Sequence, residues 1–365
     1  MKKKNLAIVI LTMVILFGFG VGTVLRQRDK YSASERRALA QMPEISGKTL
    51  QSGKFMTDFE SFTLDQFPLR DTFRTVKAVA SRYALLRGDN HGYYAAQGYL
   101  SKLEYPLNTG KLEISTGKLQ DVYNRYLKDT DCTLYLSVIP DKNYFLAPGN
   151  GYPTMDYDAA VDTVRQEMSF AEYIDIFDTL SLEDYYRTDQ HWRQEKILPV
   201  AERLAQGMGA TLSGEWTVNT SEAPFYGTYY GQAALPFSPD TLQYLTSPTL
   251  ENCTVTSYNT GKPMTVPMYD MEKAAGRDPY EMFLNGSDPL VVIENPDGEK
   301  GRELVVFRDS FASSLMPLMA SGYERITLVD LRYLRADLLG SFLTFRNQDV
   351  LFLYSTLVLN NTVSM

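Results

Sequence analysis

The sequence predicts an α/β fold: a mostly parallel sheet flanked by helices, interrupted by a β-rich insertion and preceded by one apolar helix. Three observations carry this. From about residue 100, short apolar runs alternate with amphipathic stretches; the alternation lapses over roughly 213–285; and residues 6–25 contain no charge. Strands alternating with helices mark βαβ units, whose crossovers place helices on the faces of a parallel sheet.

Residues 6–25 read LAIVILTMVILFGFGVGTVL, and about 20 apolar residues suffice for a helix to cross a hydrocarbon core of roughly 30 Å. Lys2, Lys3 and Lys4 precede this run, while Arg26, Arg28 and Lys30 follow it. The tighter N-terminal cluster predicts a cytoplasmic N-terminus. A cleaved signal peptide is the competing reading, with Gly18, Gly20 and Gly22 as small residues near its end. Against it, the run lacks an A-x-A site and exceeds an ordinary signal h-region. No second run of 18 apolar residues follows, so the expectation is a single-pass protein of the cell membrane with an extracytoplasmic C-terminal domain. Its expected division is residues 1–25 as cytoplasmic tip and anchor, 26–99 as connector and helical region, and 100–365 as the main domain, with the insertion at 213–285.

The elements follow in order. Phe55, Phe59 and Phe62 form a one-face helical stripe, Pro68 interrupts, and an amphipathic pattern resumes over 69–86. GDNHG (88–92) is a turn by composition, and YYAAQGYLSKLEY reads as a hairpin. Residues 112–128 and 158–170 suit helices, TLYLSVIP (133–140) a buried strand, and YIDIF (173–177) another strand; a helical stretch follows His191. Near the end, LVVF (304–307), ITLVDL (326–331) and DVLFLYS (349–355) read as strands separated by helices over about 311–320 and 334–345. The 213–285 stretch is rich in Thr, Tyr, Ser and Pro and shows no long helical period.

The net charge is −8, and without the three leading lysines it becomes −11. Such acidity argues against nucleic acid and against tight binding to anionic lipid headgroups. Cys132 and Cys253 are too few for a disulfide framework and lack metal-ligand spacing. Each opens a β-rich run, so one bridge and two free thiols both stand as readings. No Gly-rich phosphate loop, zinc spacing or calcium loop is present, which predicts no cofactor.

Only two histidines occur, His91 and His191, so any histidine base must be one of them. His91 sits in a Gly/Asn turn and is read as structural. His191 stands in YYRTDQHWRQE, two positions after Asp189. In an extended segment residues i and i+2 share a side, so a carboxylate there can orient the imidazole. The competing reading makes Asp189 a helix cap and His191 a structural residue. Ser310, in LVVFRDSFASSLMPLM, lies where a strand ends and a helix begins. That is where α/β sheets place ligands and where free N–H groups stabilise an oxyanion. Capping by Asp309 and Ser310 explains the same residues without catalysis. Lys142 and Tyr144 follow the strand ending at Pro140, and Arg332 and Tyr333 follow ITLVDL; these four are candidates for lining a substrate site. Phe225, Tyr226, Tyr229 and Tyr230 suit either sugar stacking or internal packing.

The segments SASERRALAQMP, SGKF, DQFPLRD (65–71), YYRTDQHW, FYGTYYGQAAL (225–235), DPYEMFL, RDSFASSLMPL and LVDLRYL together resemble the DHHW family of bacterial envelope proteins. The likeness spans nearly all of the chain beyond the anchor. The family's name corresponds here to Asp189-Gln190-His191-Trp192, with Gln190 in place of the first histidine. The family is related to the SGNH-hydrolase-like proteins of alginate acetylation, so the resemblance implies an SGNH-hydrolase-like fold. It also implies an Asp–His–Ser triad of Asp189, His191 and Ser310, in an order permuted from other SGNH enzymes, whose Asp and His follow the serine. The Ser310 backbone N–H would form part of the oxyanion hole.

The expected activity is serine acyl transfer, most plainly O-acetylation of a cell-envelope polysaccharide or related polymer. An esterase using the same residues, and a non-catalytic envelope glycan-binding or assembly protein, are the alternatives. Acyl transfer outside the cytoplasm implies a polytopic membrane acyltransferase as donor partner and an envelope polysaccharide as acceptor.

Overall fold

The computed structural model describes residues 2–361. The chain divides into Met1–His91 with Tyr230–Phe237, and Gly92–Tyr229 with Ser238–Met365. In the smaller unit the first helix, α1, runs Lys2–Leu25, and its Lys3–Thr23 portion is long and apolar enough to cross a membrane. Helix α2 spans Lys54–Asp65 and α3 spans Arg70–Val79, continued by a π-turn over Ala80–Ala84. Pro68 separates α2 from α3, as a residue without a backbone N–H and with a fixed φ should. Of the expected Phe stripe only Phe62 is buried. His91 adopts φ +56° and its Nε2 lies 2.9 Å from Lys77 Nζ.

The larger unit begins with the hairpin Tyr93–Ala96/Tyr99–Lys102, so the division falls at residue 92 rather than at 99. Its main sheet has eight strands: β1 Thr133–Ile139, β2 Glu172–Tyr173, β3 Thr254–Ser257, β4 Met264–Val266, β5 Leu290–Glu294, β6 Glu303–Arg308, β7 Arg325–Val329 and β8 Asp349–Ser355. They lie in the order β4-β3-β5-β7-β6-β8-β1-β2. The five from β7 to β2 are parallel, and β5, β3 and β4 add an antiparallel edge.

Strand β6 shows why the centre of this sheet is apolar throughout. Leu304 and Val306 join one buried cluster with Leu204 and Leu315, while Val305 and Phe307 join another with Leu119 and Val164. Alternate side chains thus feed opposite faces, and both faces are covered. Helices α4 (Thr109–Val122) and α5 (Tyr157–Glu167) lie on the second face; α6 (Leu198–Gly207) and α7 (Ala312–Met319) lie on the first.

Several expectations are adjusted. The 213–285 stretch is not one insertion. Thr217–Phe225 pairs with Asp240–Thr246 as a separate two-stranded sheet, whereas β3 and β4 extend the main sheet. YIDIF pairs only through its first residue, because β2 is an edge strand and Asp175 accepts the Phe177 N–H, turning the chain into a 3₁₀ helix. The helix expected over 334–345 is a 3₁₀ segment, Ala336–Ser341, with Gly340 weakening any α-helix there. Both cysteines are free. They precede β1 and β3, five strand spacings or about 24 Å apart, well beyond disulfide reach.

Candidate active site

Strands β1, β6, β7 and β8 end at the same edge, and Ser310 stands two residues past β6. The turn that carries it is fixed by Asp309. One carboxylate oxygen accepts the Phe311 N–H (3.0 Å), and the other accepts the N–H of Ser355 at the end of β8 (2.7 Å). Asp309 therefore takes the capping work, leaving the Ser310 hydroxyl for another partner. That partner is His191, whose Nε2 lies 2.7 Å from Ser310 Oγ. Ser310 itself is partly exposed.

On the other side of the imidazole, His191 Nδ1 lies 2.6 Å from Asp189 Oδ1. The same oxygen accepts the His191 backbone N–H at 3.0 Å, and Oδ2 accepts the Thr228 N–H at 2.7 Å. An ionised carboxylate only accepts, so Nδ1 carries the proton and Nε2 is left with its lone pair toward Ser310. The ring is further held in place by Tyr280, stacked at 3.7 Å with a 4° interplanar angle, and by Phe311 at 4.9 Å. Asp189, His191 and Ser310 thus form one hydrogen-bonded line. Such a line can lower the cost of removing the serine proton during attack on a carbonyl. The Ser310 N–H donates to no other group among the described residues.

The loop bearing Asp189 and His191 is pinned at several points. Tyr185 bridges Trp192, and the Tyr186 N–H donates to the His191 carbonyl, which closes the loop. Trp192 Nε1 donates to the Phe311 carbonyl and Ser314 Oγ, and Gln194 Nε2 donates to the Ser314 carbonyl. The tryptophan of the DQHW stretch therefore reads the first turn of α7 and sets the loop's position relative to Ser310. Asp240 accepts the Arg187 and Thr188 N–H groups. Gln190 sits on the outer side, its amide nitrogen 3.4 Å from His191 Nε2.

Residues outside the three candidates matter as much. Gly227 packs directly on Asp189: a Cβ there would lie 2.3 Å from the Asp189 Cβ and 2.5 Å from its Cα. The Gly227 N–H also donates to Thr188 Oγ1. The sequence offered a signal for this contact in FYGTYYG, but not the partner it approaches. Gly227→Ala is expected to displace Asp189 and cut kcat about 100-fold, the usual consequence of an ångström-scale misplacement; steady-state kinetics on the folded variant checks this.

Lys142, expected to line a substrate site, is instead fully buried. It opens a short helix, Lys142–Leu146, capped by Asp141. Its Nζ donates to the carbonyls of Tyr186 and Asp189 (2.7 Å each), with Arg187 O at 3.4 Å. The ring faces of Tyr229 and Tyr99 lie 5.1 and 5.8 Å away. Burial pushes its ammonium down from the ordinary lysine range to about 7, opposed by the nearby carboxylates of Asp240, Asp189 and Asp141. It supports the Asp189 loop from beneath. Lys142→Met removes the donor to the Tyr186 and Asp189 carbonyls and is expected to cost about 3 kcal/mol of stability, read by urea unfolding.

The other candidates also find structural partners. The Tyr144 ring packs against Phe145, Tyr157 and Phe177. Arg332 makes a two-point contact with Asp330 (2.9 and 2.6 Å), with Tyr333, half exposed, beneath its guanidinium. Asp330 in turn lies 3.7 Å from the buried Arg308, next to the Ser310 turn. Among the described residues no hydrogen bond joins Tyr144, Arg332 or Tyr333 to Ser310 or His191. Phe225 and Tyr229 are buried, which favours packing for both, while Tyr226 is exposed. No group of three or more His, Cys, Asp or Glu side chains among the described residues is arranged to hold a metal ion.

The mostly parallel sheet and its flanking helices form an α/β fold, SGNH-like by its structural neighbours. That fold matches the crystal structure of a DHHW family protein from Eubacterium siraeum, with a TM-score of 0.63 and 21% identity, covering 75% of this chain and 94% of that one. It also matches Bacillus cereus PatB1 carrying a sulfonyl adduct, with a TM-score of 0.59 and 17% identity, over 74% and 96% of the two chains. The O-acetyltransferase domain of Pseudomonas putida AlgJ is more distant, with a TM-score of 0.44 and 13% identity over 74% and 93%. No family model matches the chain, and no curated protein sequence matches it.

Proposed function

We propose that this chain is a membrane-anchored, extracytoplasmic serine acyltransferase that O-acetylates a cell-envelope polysaccharide or related polymer. The carrying observation is the line from Asp189 through His191 to Ser310, with 2.6 and 2.7 Å contacts and the serine partly open to solvent. In the first half-reaction Ser310 Oγ attacks the acyl carbonyl while His191 Nε2 takes its proton. The Ser310 N–H faces the developing oxyanion, and His191 returns the proton to the leaving group, leaving acyl-Ser310. In the second, a sugar hydroxyl gives its proton to His191 and attacks the acyl-serine, and His191 passes that proton to the departing Ser310 Oγ, which restores the free hydroxyl.

The resemblance to the DHHW family supports acetyl as the acyl group and an envelope polymer as the acceptor. PatB1, of the same fold, carries a sulfonyl adduct. The apolar run Lys3–Thr23 serves as the anchor in this reading, with the N-terminus cytoplasmic. A polytopic membrane acyltransferase then delivers the acyl group across the bilayer.

The test uses the full chain in detergent with a chromogenic acetyl ester, with and without an oligosaccharide acceptor. Acetylated oligosaccharide detected by mass supports transfer. Release of acetate alone, unaffected by acceptor, makes the protein an esterase. No turnover under either condition contradicts both.

A further inference from the structure

We propose that the helical pair α2–α3 lies in the interface of the outer membrane leaflet, as a second lipid contact beside the anchor. The inference rests on the reading of α1 as membrane-spanning and extends it to residues 42–86. It begins with the turn DQFPLRD between the two helices, which the proposed acyl-transfer site does not use. Gln66 donates to the carbonyls of Asp29 and Ala40 and accepts the Asp29 N–H. Asp65 binds Arg37 through both oxygens (2.6 and 2.8 Å) and accepts the Ala40 N–H. Asp29 is only four residues beyond the end of α1, a span of at most about 14 Å. The turn is therefore held close to where the chain leaves the bilayer.

The rings place it closer still. Phe67 stacks on Phe19 of α1 at 4.9 Å, and Phe73 meets both at 5.7 and 5.6 Å. A side chain at Gly22 would press on Pro68, whose Cγ lies 3.2 Å from a Cβ built there. Phe19 is four residues inside the end of the apolar span at Thr23, a depth of about 6 Å along a helix. Interfacial helices bury their apolar faces about 5–10 Å into the headgroup and acyl boundary. Any group that touches Phe19 thus lies at that depth.

The surface has the matching character. Among the described residues beyond the anchor, eleven large apolar side chains are exposed within residues 42–86, against nine in all of 87–361. Leu69, Phe73, Val76 and Tyr83 repeat at helical spacing along α3 and its π-turn, and Met56 and Leu64 are exposed on α2. In water such a concentration is costly; against acyl chains it is favourable. A crevice of about 510 Å³ opens between α1 and α2, lined by Ile15, Leu16, Phe19, Phe59, Phe62 and Arg28. Charge follows the same division. Residues 26–91 carry twelve Lys and Arg against eight Asp and Glu, a net +4, whereas the residues from 92 onward carry −15. The acidity that argues against anionic lipid belongs to the second portion, and the first suits an anionic surface.

The test reconstitutes the full chain into phosphatidylcholine/phosphatidylglycerol vesicles, with or without bromine at acyl carbons 6 and 7. Val76→Trp and Met56→Trp are exposed substitutions on separate helices; wild-type emission from Trp192 and Trp216 is the reference. Both variants are expected to show added emission that is blue-shifted and quenched at least two-fold by the brominated lipid. Resistance to alkaline extraction separately reports the anchor. Quenching with resistance supports the proposal, and quenching without it supports the interfacial face while refuting the anchor. Resistance without quenching at either position overturns the proposal and leaves the anchor standing; neither signal overturns both.

Discussion

Replacing Ser310 with alanine is expected to reduce acetyl-ester turnover by about 10⁴- to 10⁶-fold, the scale seen when a serine nucleophile is removed and only binding and the oxyanion donor remain. The fold should survive, because Ser310 is partly exposed and its turn is fixed by Asp309 rather than by its own hydroxyl. Unfolding free energy is expected to change by no more than about 0.5 kcal/mol. The comparison of kcat/KM and denaturation curves for the two proteins checks both halves. Turnover within ten-fold of wild type in a folded Ser310→Ala protein would remove Ser310 from the chemistry.

Asp189→Asn is the second large effect, expected at about 10⁴-fold in kcat with KM little changed. The physical reason lies in the three N–H groups that Asp189 accepts: His191 Nδ1, the His191 backbone and Thr228. An amide offers one acceptor oxygen, and its NH₂ must face a group that is itself a donor. If the oxygen stays with the Thr228 N–H, the NH₂ takes the place of Oδ1, donates to Nδ1 and forces the proton onto Nε2. The imidazole can then no longer accept from Ser310. Combined with Ser310→Ala, the loss should be far from additive, since the two residues act on one proton transfer. A full additive loss in the double variant would show that they act separately.

Much of this site was legible because its signals are local. Asp189 and His191 are two residues apart, and Ser310 sits at a strand-to-helix junction that apolar periodicity reveals. DVLFLYS forms β8 over the same seven residues that its pattern marks. What escaped the sequence depends on contacts across long separations. Tyr280 stacks on an imidazole 89 positions earlier, and Gly227 meets Asp189 across 38; neither pairing leaves a periodic trace. Lys142 shows a different shortfall. Its place past the end of a strand was readable, but the capping of its helix by Asp141 turns the side chain under the loop rather than toward solvent. The 213–285 stretch holds strands of both the main sheet and a separate pair, and composition does not tell the one from the other.

Covalent labelling tests most directly whether Ser310 is the acyl-accepting nucleophile. The full chain is treated with a sulfonyl fluoride, digested, and the adduct located by tandem mass spectrometry. A single stoichiometric sulfonyl group is expected on Ser310, absent in Ser310→Ala and slowed at least 100-fold in His191→Ala, where no base remains. Labelling of other hydroxyls at comparable rates, or of Ser310 at an unchanged rate without His191, would contradict it.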